Sequence, residues 1–512
     1  MTQLVQAQGC YWPQAMASLG DVISYDGAGM TEEDLARVFV MLAMVSPDDL
    51  RGKLKLLVTE MPWDYPCDEK LDFNGREDRQ QEAIVKLAAE ALAQPEVLIA
   101  ELPALSAGDQ RMAGSFGTAL AANANDKVGW LWRVMRAYRA APAERQNPDL
   151  LTSYLAELAK TKPRLVETFK RRAIRSPKLA SNVPLLCFKM EIPASDILLV
   201  CEGLKTGTLT SRALYAWTFG GRLAKRQPDE VAPLFSEIFA EPEQANLGYD
   251  LMGMYVHSDM ERLEFLRPQL RLAADTALAG QTNTMNDHHF VELMKWLLKK
   301  GRNDADARAV ALSLTRQLID RVDEGSLSDE RRIKPLLPLL LREFPEIVWP
   351  LISNAITSDP RASWRFQHAL GKGYSFGGSQ QKAPIEELSE DTLLAWCHAN
   401  PDVAPAFLAR ILPLLTSEGE GQGKRFSSLI QRIVDEFGER DDVQQALVGN
   451  MHTFGWSGSL TTYYELYEGP LAALHKHAKA AVRRWSKKMS DSMAKQIARE
   501  HDSDDEQSAQ YD

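Results

Sequence analysis

The sequence predicts an all-α fold, an irregular stack of short helix pairs, and three observations predict it. First, a proline preceded by a polar or charged residue opens one amphipathic stretch after another: Ser46-Pro47-Asp48-Asp49, Asn147-Pro148-Asp149, Lys162-Pro163-Arg164, Gln227-Pro228-Asp229-Glu230, Asp359-Pro360-Arg361 and Asn400-Pro401-Asp402. Proline suits the first helical position because its missing N–H would be unpaired there anyway and its φ is already helical. A Ser, Asn or Asp before it can cap free amides, and acids after it meet the positive end of the helix dipole. Second, apolar residues recur at helical spacing nearly everywhere. Third, no sustained period-two alternation of β-branched residues marks a strand.

Taken in order, a helix start falls at Thr31 after the turn Asp26-Gly27-Ala28-Gly29, where Asp34 can complete a capping-box-like arrangement. Leu50, Leu54, Leu57 and Val58 form the next apolar row. After Pro228, the residues Val231, Leu234, Phe235, Ile238 and Phe239 fall on one stripe, as do Ile347, Val348, Leu351, Ile352, Ala355 and Ile356 after Pro345. From Pro401, Val403, Phe407, Ile411 and Leu415 make a row at i+4 spacing, flanked by Leu408 and Leu412. The last predicted helix runs from Pro470 through Leu471, Leu474, Ala478, Ala481, Trp485, Met489, Met493 and Ile497. Polar breaks fall at Asp68–Asp78, Gly371–Lys382 and Ser417–Lys424, of which the glycine-rich second is the expected joint. The chain is expected to comprise an N-terminal helical domain (1–150), a central repeat array (151–370), a C-terminal helical domain (383–500) and a disordered acidic tail (501–512).

The net charge of −11 argues against a general nucleic-acid coat protein, which is usually basic. The five cysteines, Cys10, Cys67, Cys187, Cys201 and Cys397, are scattered with no CxxC pair, which fits reduced, buried thiols and no zinc site. Met1–Cys10 lacks the charged start and apolar run of a signal peptide, and the longest apolar run, Val38–Val45, is too short to span a bilayer. A cytoplasmic protein without membrane contact is expected.

No sequence signature for catalysis stands out. Glu418-Gly419-Glu420-Gly421-Gln422-Gly423-Lys424-Arg425 comes nearest to a phosphate loop, but Glu418 replaces the first glycine and Arg425 the Ser or Thr, so an interhelical loop is expected. Asp287-His288-His289 lacks a partner motif such as HExxH, and His475 and His477 fall on different helix faces, so neither predicts a metal site. His288 is the first of these to mutate if activity is found. Trp456-Ser457-Gly458-Ser459 reads as a turn, and no G-x-S-x-G or paired-carboxylate pattern is present. No catalytic residue, metal or cofactor is predicted.

The concrete binding signal is basic. Lys160, Lys162, Arg164, Lys170, Arg171, Arg172, Arg175 and Lys178 stand against the single acid Glu167, while Leu165, Val166, Phe169 and Ala173 give the same segment a buried face. The cations are therefore expected to line the outside as a ridge for phosphates or an acidic protein surface, with a solvated, salt-bridged face as the plain alternative. Lys476, Lys479, Arg483, Arg484, Lys487 and Lys488 form a second basic set. Trp130, Trp132 and Tyr138 alternate with Arg133, Arg136 and Arg139, which would suit single-stranded nucleic acid. The spacing of Leu131, Val134, Met135 and Tyr138 nevertheless predicts core packing first.

No repeat recurs at a strict period, but irregular helix pairs of about 40 residues remain compatible with an α-solenoid. Ala481-Val482-Arg483-Arg484-Trp485 resembles the second helix of a HEAT repeat, and Asp304-Ala305-Asp306-Ala307-Arg308-Ala309-Val310-Ala311 is a weaker echo. The array is therefore expected to be HEAT-like toward its C-terminus. Gly455-Trp456-Ser457-Gly458-Ser459, Tyr463-Tyr464-Glu465, and His475 followed by Val482-Arg483-Arg484-Trp485 resemble the C-terminal helical end of large bacterial proteins linked to NTPase-type phage-defence systems. That resemblance covers the last sixty or so residues best. It implies a sensing or scaffolding array, and here an NTPase or nuclease as a separate protein partner. The expected function is a non-catalytic interaction scaffold. The alternative is a helical-repeat nucleic-acid-binding protein or enzyme, similar to HEAT-like DNA glycosylases, that uses the basic ridge.

Overall fold

The computed structural model describes residues 12–27, 29–59, 73–277, 287–324, 332, 335–371, 382–417, 424–452 and 460–508. Its fold is all-α. Among the described residues the extended pairing is limited to an isolated bridge, Ala107 to Gln146, and a two-stranded antiparallel ribbon, Leu415–Ser417 with Lys424–Phe426.

Several helix starts follow the expected devices. Pro163, Pro228 and Pro360 open the helices Pro163–Ala173, Pro228–Phe239 and Pro360–Leu370. Asp359 accepts from the Arg361 amide at 2.8 Å, and the Glu230 carboxylate accepts from the Gln227 amide at 2.8 Å. Thr31 accepts from the Asp34 amide and donates its hydroxyl to the Asp34 carboxylate. Two starts differ. Pro47 lies ahead of the Leu50–Leu54 helix, which Asp49 caps by accepting from the Gly52 amide at 2.7 Å. Pro401 sits in a turn, and the α-helix begins at Ala404.

Two expected helical runs are interrupted. Leu415 belongs to the ribbon and not to the Ala404–Ile411 helix, because Pro413 cannot continue the helical hydrogen bonding. The run from Pro470 is two helices, Glu468–Leu474 and Ala480–Ser508, separated by residues 475–479. The second continues through most of the acidic stretch, since extending an existing helix fixes one residue per bond gained. Residues 372–381 of the glycine-rich joint, the acidic loop of 418–423 and the Trp456–Ser459 turn lie outside the described residues, as do Cys10, Cys67 and residues 68–72 of the first break; the rest of that expected break is helical, since the Phe73–Ala93 helix begins within it.

Clustering of contacts divides the chain into two compact units, Met1–Ile238 with Met254–Met260, and Phe239–Gly253 with Glu261–Asp512. In the first unit alternate helices stack. Phe73–Ala93, Ala113–Asn123, Asp149–Ala159 and Asn182–Lys189 pack each on the next, while Pro95–Leu105 packs on Lys127–Ala140. Ala113–Asn123 and Asp149–Ala159 approach closely: a Cβ at Gly117 would stand 2.5 Å from the Leu150 carbonyl oxygen. Backbone cannot yield there as a flexible side chain would. Gly117→Val is expected to destabilise this unit by about 3 kcal/mol or more, read as a lowered denaturant midpoint. An unchanged midpoint would show that the two helices can separate without loss.

In the second unit Arg267–Asp275 packs on Ala305–Glu324, which also packs on Pro345–Ser358 and Pro360–Leu370; Pro360–Leu370 packs on Ala404–Ile411, and that on Asp441–Met451. The stripe predicted after Pro345 supplies buried Val348, Ile352 and Ile356. A buried cation with three hydrogen-bond partners lies inside this unit. The Arg332 guanidinium donates to Asp287 Oδ1 at 2.5 Å, to the Ala277 carbonyl at 2.8 Å and to Asn246 Oδ1 at 2.6 Å. It also lies over the rings of Tyr249 and Phe290.

Candidate functional site

The Pro163–Ala173 helix buries Val166 and Ala173 and turns most of its cations outward. Lys160, Lys162, Arg164, Arg171, Arg172, Arg175 and Lys178 are exposed. Three of them are paired with acids: Lys160 with Glu157 at 2.6 Å, Arg171 with Glu167 at 3.0 Å and Arg175 with Glu202 at 2.9 Å. Lys162, Arg164, Arg172 and Lys178 have no ion pair among the described residues.

Lys170 does not belong to the ridge. It is buried, with its ammonium 2.5 Å from Asp196 Oδ1 and 2.8 Å from Glu167. Its place in the helix aligns it with Val166 and Ala173 at i−4 and i+3, so it enters the core, where a buried carboxylate neutralises it. Burial alone would lower its pKa, but the hydrogen bonds and charges of Asp196 and Glu167 outweigh burial and hold it above the ordinary lysine value. Glu167, in turn, would be raised by partial burial, but Lys170 and Arg171 hold its carboxyl below the usual range. It therefore stays ionised.

Beside the helix is an open cleft of about 550 Å³. Ala159, Val166 and Met190 give it an apolar floor, and Arg164, Thr168 and Arg171 line it at i, i+4 and i+7. Glu167 also lines the cleft and pairs with Arg171, so Arg164 is its exposed cation without an ion pair among the described residues; apolar walls beside that cation can hold a chain that carries both apolar and acidic side chains.

The second basic set is partly engaged in holding the fold. Arg483 donates to the carbonyls of His477 and Ala478, both at 2.7 Å, because the break at 475–479 leaves those oxygens without helical partners. Lys479 donates to the Glu436 carbonyl at 2.8 Å. Lys476, Arg484, Lys487 and Lys488 remain exposed, and the last three share a helix face.

The aromatic set of the Lys127–Ala140 helix divides. Trp130 and Tyr138 are buried with Leu131 and Val134, and the Tyr138 hydroxyl donates to Asn182 Oδ1 at 3.0 Å. Trp132 is 57% exposed, with exposed Arg136 and Arg139 at i+4 and i+7. Core packing therefore accounts for two of the three rings.

The histidines do not gather. His288 is exposed, His289 Nδ1 meets Asp250 at 2.9 Å, His475 meets Ser490 and His477 meets Asp435. Among the described residues no three His, Cys, Asp or Glu side chains are grouped to hold a metal ion. Burial pushes the Cys187 thiol up, with the Asp196 charge adding to it, and raises Cys201 to about 11 and Cys397 to about 12. These thiols stay protonated and are poor nucleophiles. Lys424 and Arg425 sit on a strand, not at a helix start as a phosphate loop requires.

No protein-family model, curated protein or solved structure matches this chain. Among the described residues no helix is long and apolar enough to cross a membrane.

One surface did not emerge from periodicity. In the 3₁₀ helix Ser211–Thr218 and the residue after it, Tyr215 is 55% and Phe219 50% exposed, and their rings meet edge to face at 5.1 Å. The signal that would have found it is the absence of any acid from Gly203 to Pro228, a stretch holding Lys205, Arg212, Arg222, Lys225 and Arg226.

Proposed function

We propose that this chain is a non-catalytic recognition subunit of a bacterial multi-protein assembly and binds an acidic protein surface through the Lys160–Lys178 segment. One observation carries the reading: in a chain of net charge −11, Lys162, Arg164, Arg172 and Lys178 stand exposed without ion pairs among the described residues, and Arg164 also lines a cleft with apolar walls. Like-charged cations without counterions raise local potential, speed encounter with an acidic partner and reject basic ones. The stacking of alternate helices in the first unit supports an α-solenoid, an architecture whose extended surface binds without a catalytic motif. The resemblance of the C-terminal segment to phage-defence proteins gives the assembly's context and makes an NTPase or nuclease the partner to seek.

The test is affinity purification of the tagged chain, with and without nuclease, in parallel with a variant carrying Lys162→Glu, Arg164→Glu, Arg172→Glu and Lys178→Glu. All four side chains are exposed, so the fold is expected to survive, as circular dichroism would verify. A protein partner that resists nuclease should be recovered with the parent chain and weakened at least ~10-fold with the variant, more so at low salt. Undiminished recovery with the variant would remove the ridge from recognition.

A further inference from the structure

We propose that the surface formed by Arg212, Tyr215, Phe219, Arg222 and Lys225 is a stacking platform for single-stranded nucleic acid. It is separate from the Lys160–Lys178 ridge and does not depend on the function proposed for that ridge.

The platform is held from below. Leu214 and Trp217 are buried on the inner side of the Ser211–Thr218 3₁₀ helix, and the Trp217 indole donates to the Pro184 carbonyl at 2.8 Å. That anchoring leaves Tyr215 and Phe219 on the outer side, each about half exposed. Their planes meet at 81°, so the contact uses the edge of one ring and leaves π-surface open for a base. Arg212 precedes Tyr215 by three residues, which in a 3₁₀ helix places the two side chains in line.

Gly220 and Gly221, at φ 67° and 56°, then turn the chain through a conformation that side chains disfavour. Beyond that turn Arg222 lies over the Phe188 ring at 5.3 Å. Arg212, Arg222 and Lys225 are exposed and have no ion pair among the described residues.

Each half of this arrangement has a function. Bases offer a π-face whatever their identity, and stacking on exposed aromatic side chains binds them without sequence preference. Phosphates need cations, and Arg212, Arg222 and Lys225, from a stretch without acids between Gly203 and Pro228, supply them without an ion pair among the described residues. The chain's overall acidity does not oppose this, since charges farther than about 10 Å away are largely screened at ordinary salt. A duplex hides its base faces, so the rings discriminate in favour of single strands.

The test uses the full chain and fluorescein-labelled oligo(dT), oligo(U) and a duplex of equal length, about 20 nucleotides each. Anisotropy at about 50 mM salt is expected to show micromolar binding of both single strands and at least ~10-fold weaker binding of the duplex. Tyr215→Ala and Phe219→Ala should each weaken single-strand binding about tenfold, whereas Tyr215→Phe, which keeps the ring, should not. Replacing Arg212, Arg222 and Lys225 by Gln should flatten the salt dependence by a slope of about 2 on log–log axes. The ridge variant with Arg164→Glu and Arg172→Glu should bind as the parent does. Equal affinity for the duplex, or Ala variants that fold and bind like the parent, would overturn the proposal. Unmoved anisotropy with all three probes to about 100 µM would also overturn it and leave the rings as an anchor for a protein partner.

Discussion

Arg332→Met is expected to destabilise the second unit by about 3–5 kcal/mol, because it leaves the buried Asp287 carboxylate without its counterion. Burying two charges is costly, and the attraction between them offsets that cost only when the remaining donors are also satisfied. Here the guanidinium also donates to the Ala277 carbonyl and to Asn246 Oδ1, and the Tyr249 and Phe290 rings lie against its plane. Removing one partner therefore strands several groups at once. Removing both charges should not: Arg332→Met with Asp287→Leu is expected to recover most of the loss, since a thioether packs well against those rings. Guanidinium melts of the parent and the two variants, followed by tryptophan fluorescence, decide the matter. A double variant as unstable as the single one would mean that the bonds to Ala277 and Asn246, and not charge neutralisation, make Arg332 necessary.

The arrangement around Arg332 marks the boundary of what the sequence makes legible. Features fixed by neighbours in the chain were readable. The stripe Val231, Leu234, Phe235, Ile238 and Phe239 is buried as its spacing predicts, and Pro163, Pro228 and Pro360 open helices. Where two local signals compete, the reading slips by a turn. Asp49 outbids Pro47 as a helix start because its carboxylate reaches the Gly52 amide, and Pro413 diverts Leu415 into the ribbon. Contacts across long separations left no trace. Arg332 meets Asn246 across 86 positions and Lys170 meets Asp196 across 26, and nothing local tells a buried cation from an exposed one.

The candidate surfaces divide in the same way. The density of cations between Lys160 and Lys178 was visible, but which of them already have acid partners was not, because Glu157 and Glu202 come from outside the segment. Tyr215 and Phe219 escaped because buried Leu214 and Trp217 stand among them, and apolar spacing alone reads such a cluster as core. The missing acids around them were the readable clue.

Lys170 gives the prediction that separates folding from recognition. Lys170→Met is expected to destabilise the first unit by about 3–5 kcal/mol, because Asp196, fully buried, then carries a charge without its counterion. Lys170 is held above the ordinary lysine value, so its contribution is complete below about pH 10.4 and is lost only as pH rises through the higher folded value. The stability gap between parent and variant should therefore stay flat from neutral to mildly alkaline pH and close beyond it. Chemical denaturation at several pH values measures both. A gap that closes already near neutral pH would mean that the amine is not charged in the folded state. Recognition should respond in the opposite sense to the two kinds of change. Reversing Lys162, Arg164, Arg172 and Lys178 should remove an acidic partner with little loss of stability, whereas Lys170→Met should cost stability and leave the partner's salt dependence intact wherever the chain remains folded. If Lys170→Met weakened binding in a well-folded chain as strongly as the four reversals do, the buried pair would have to be setting the ridge's shape, and the exposed cations would no longer suffice to explain recognition.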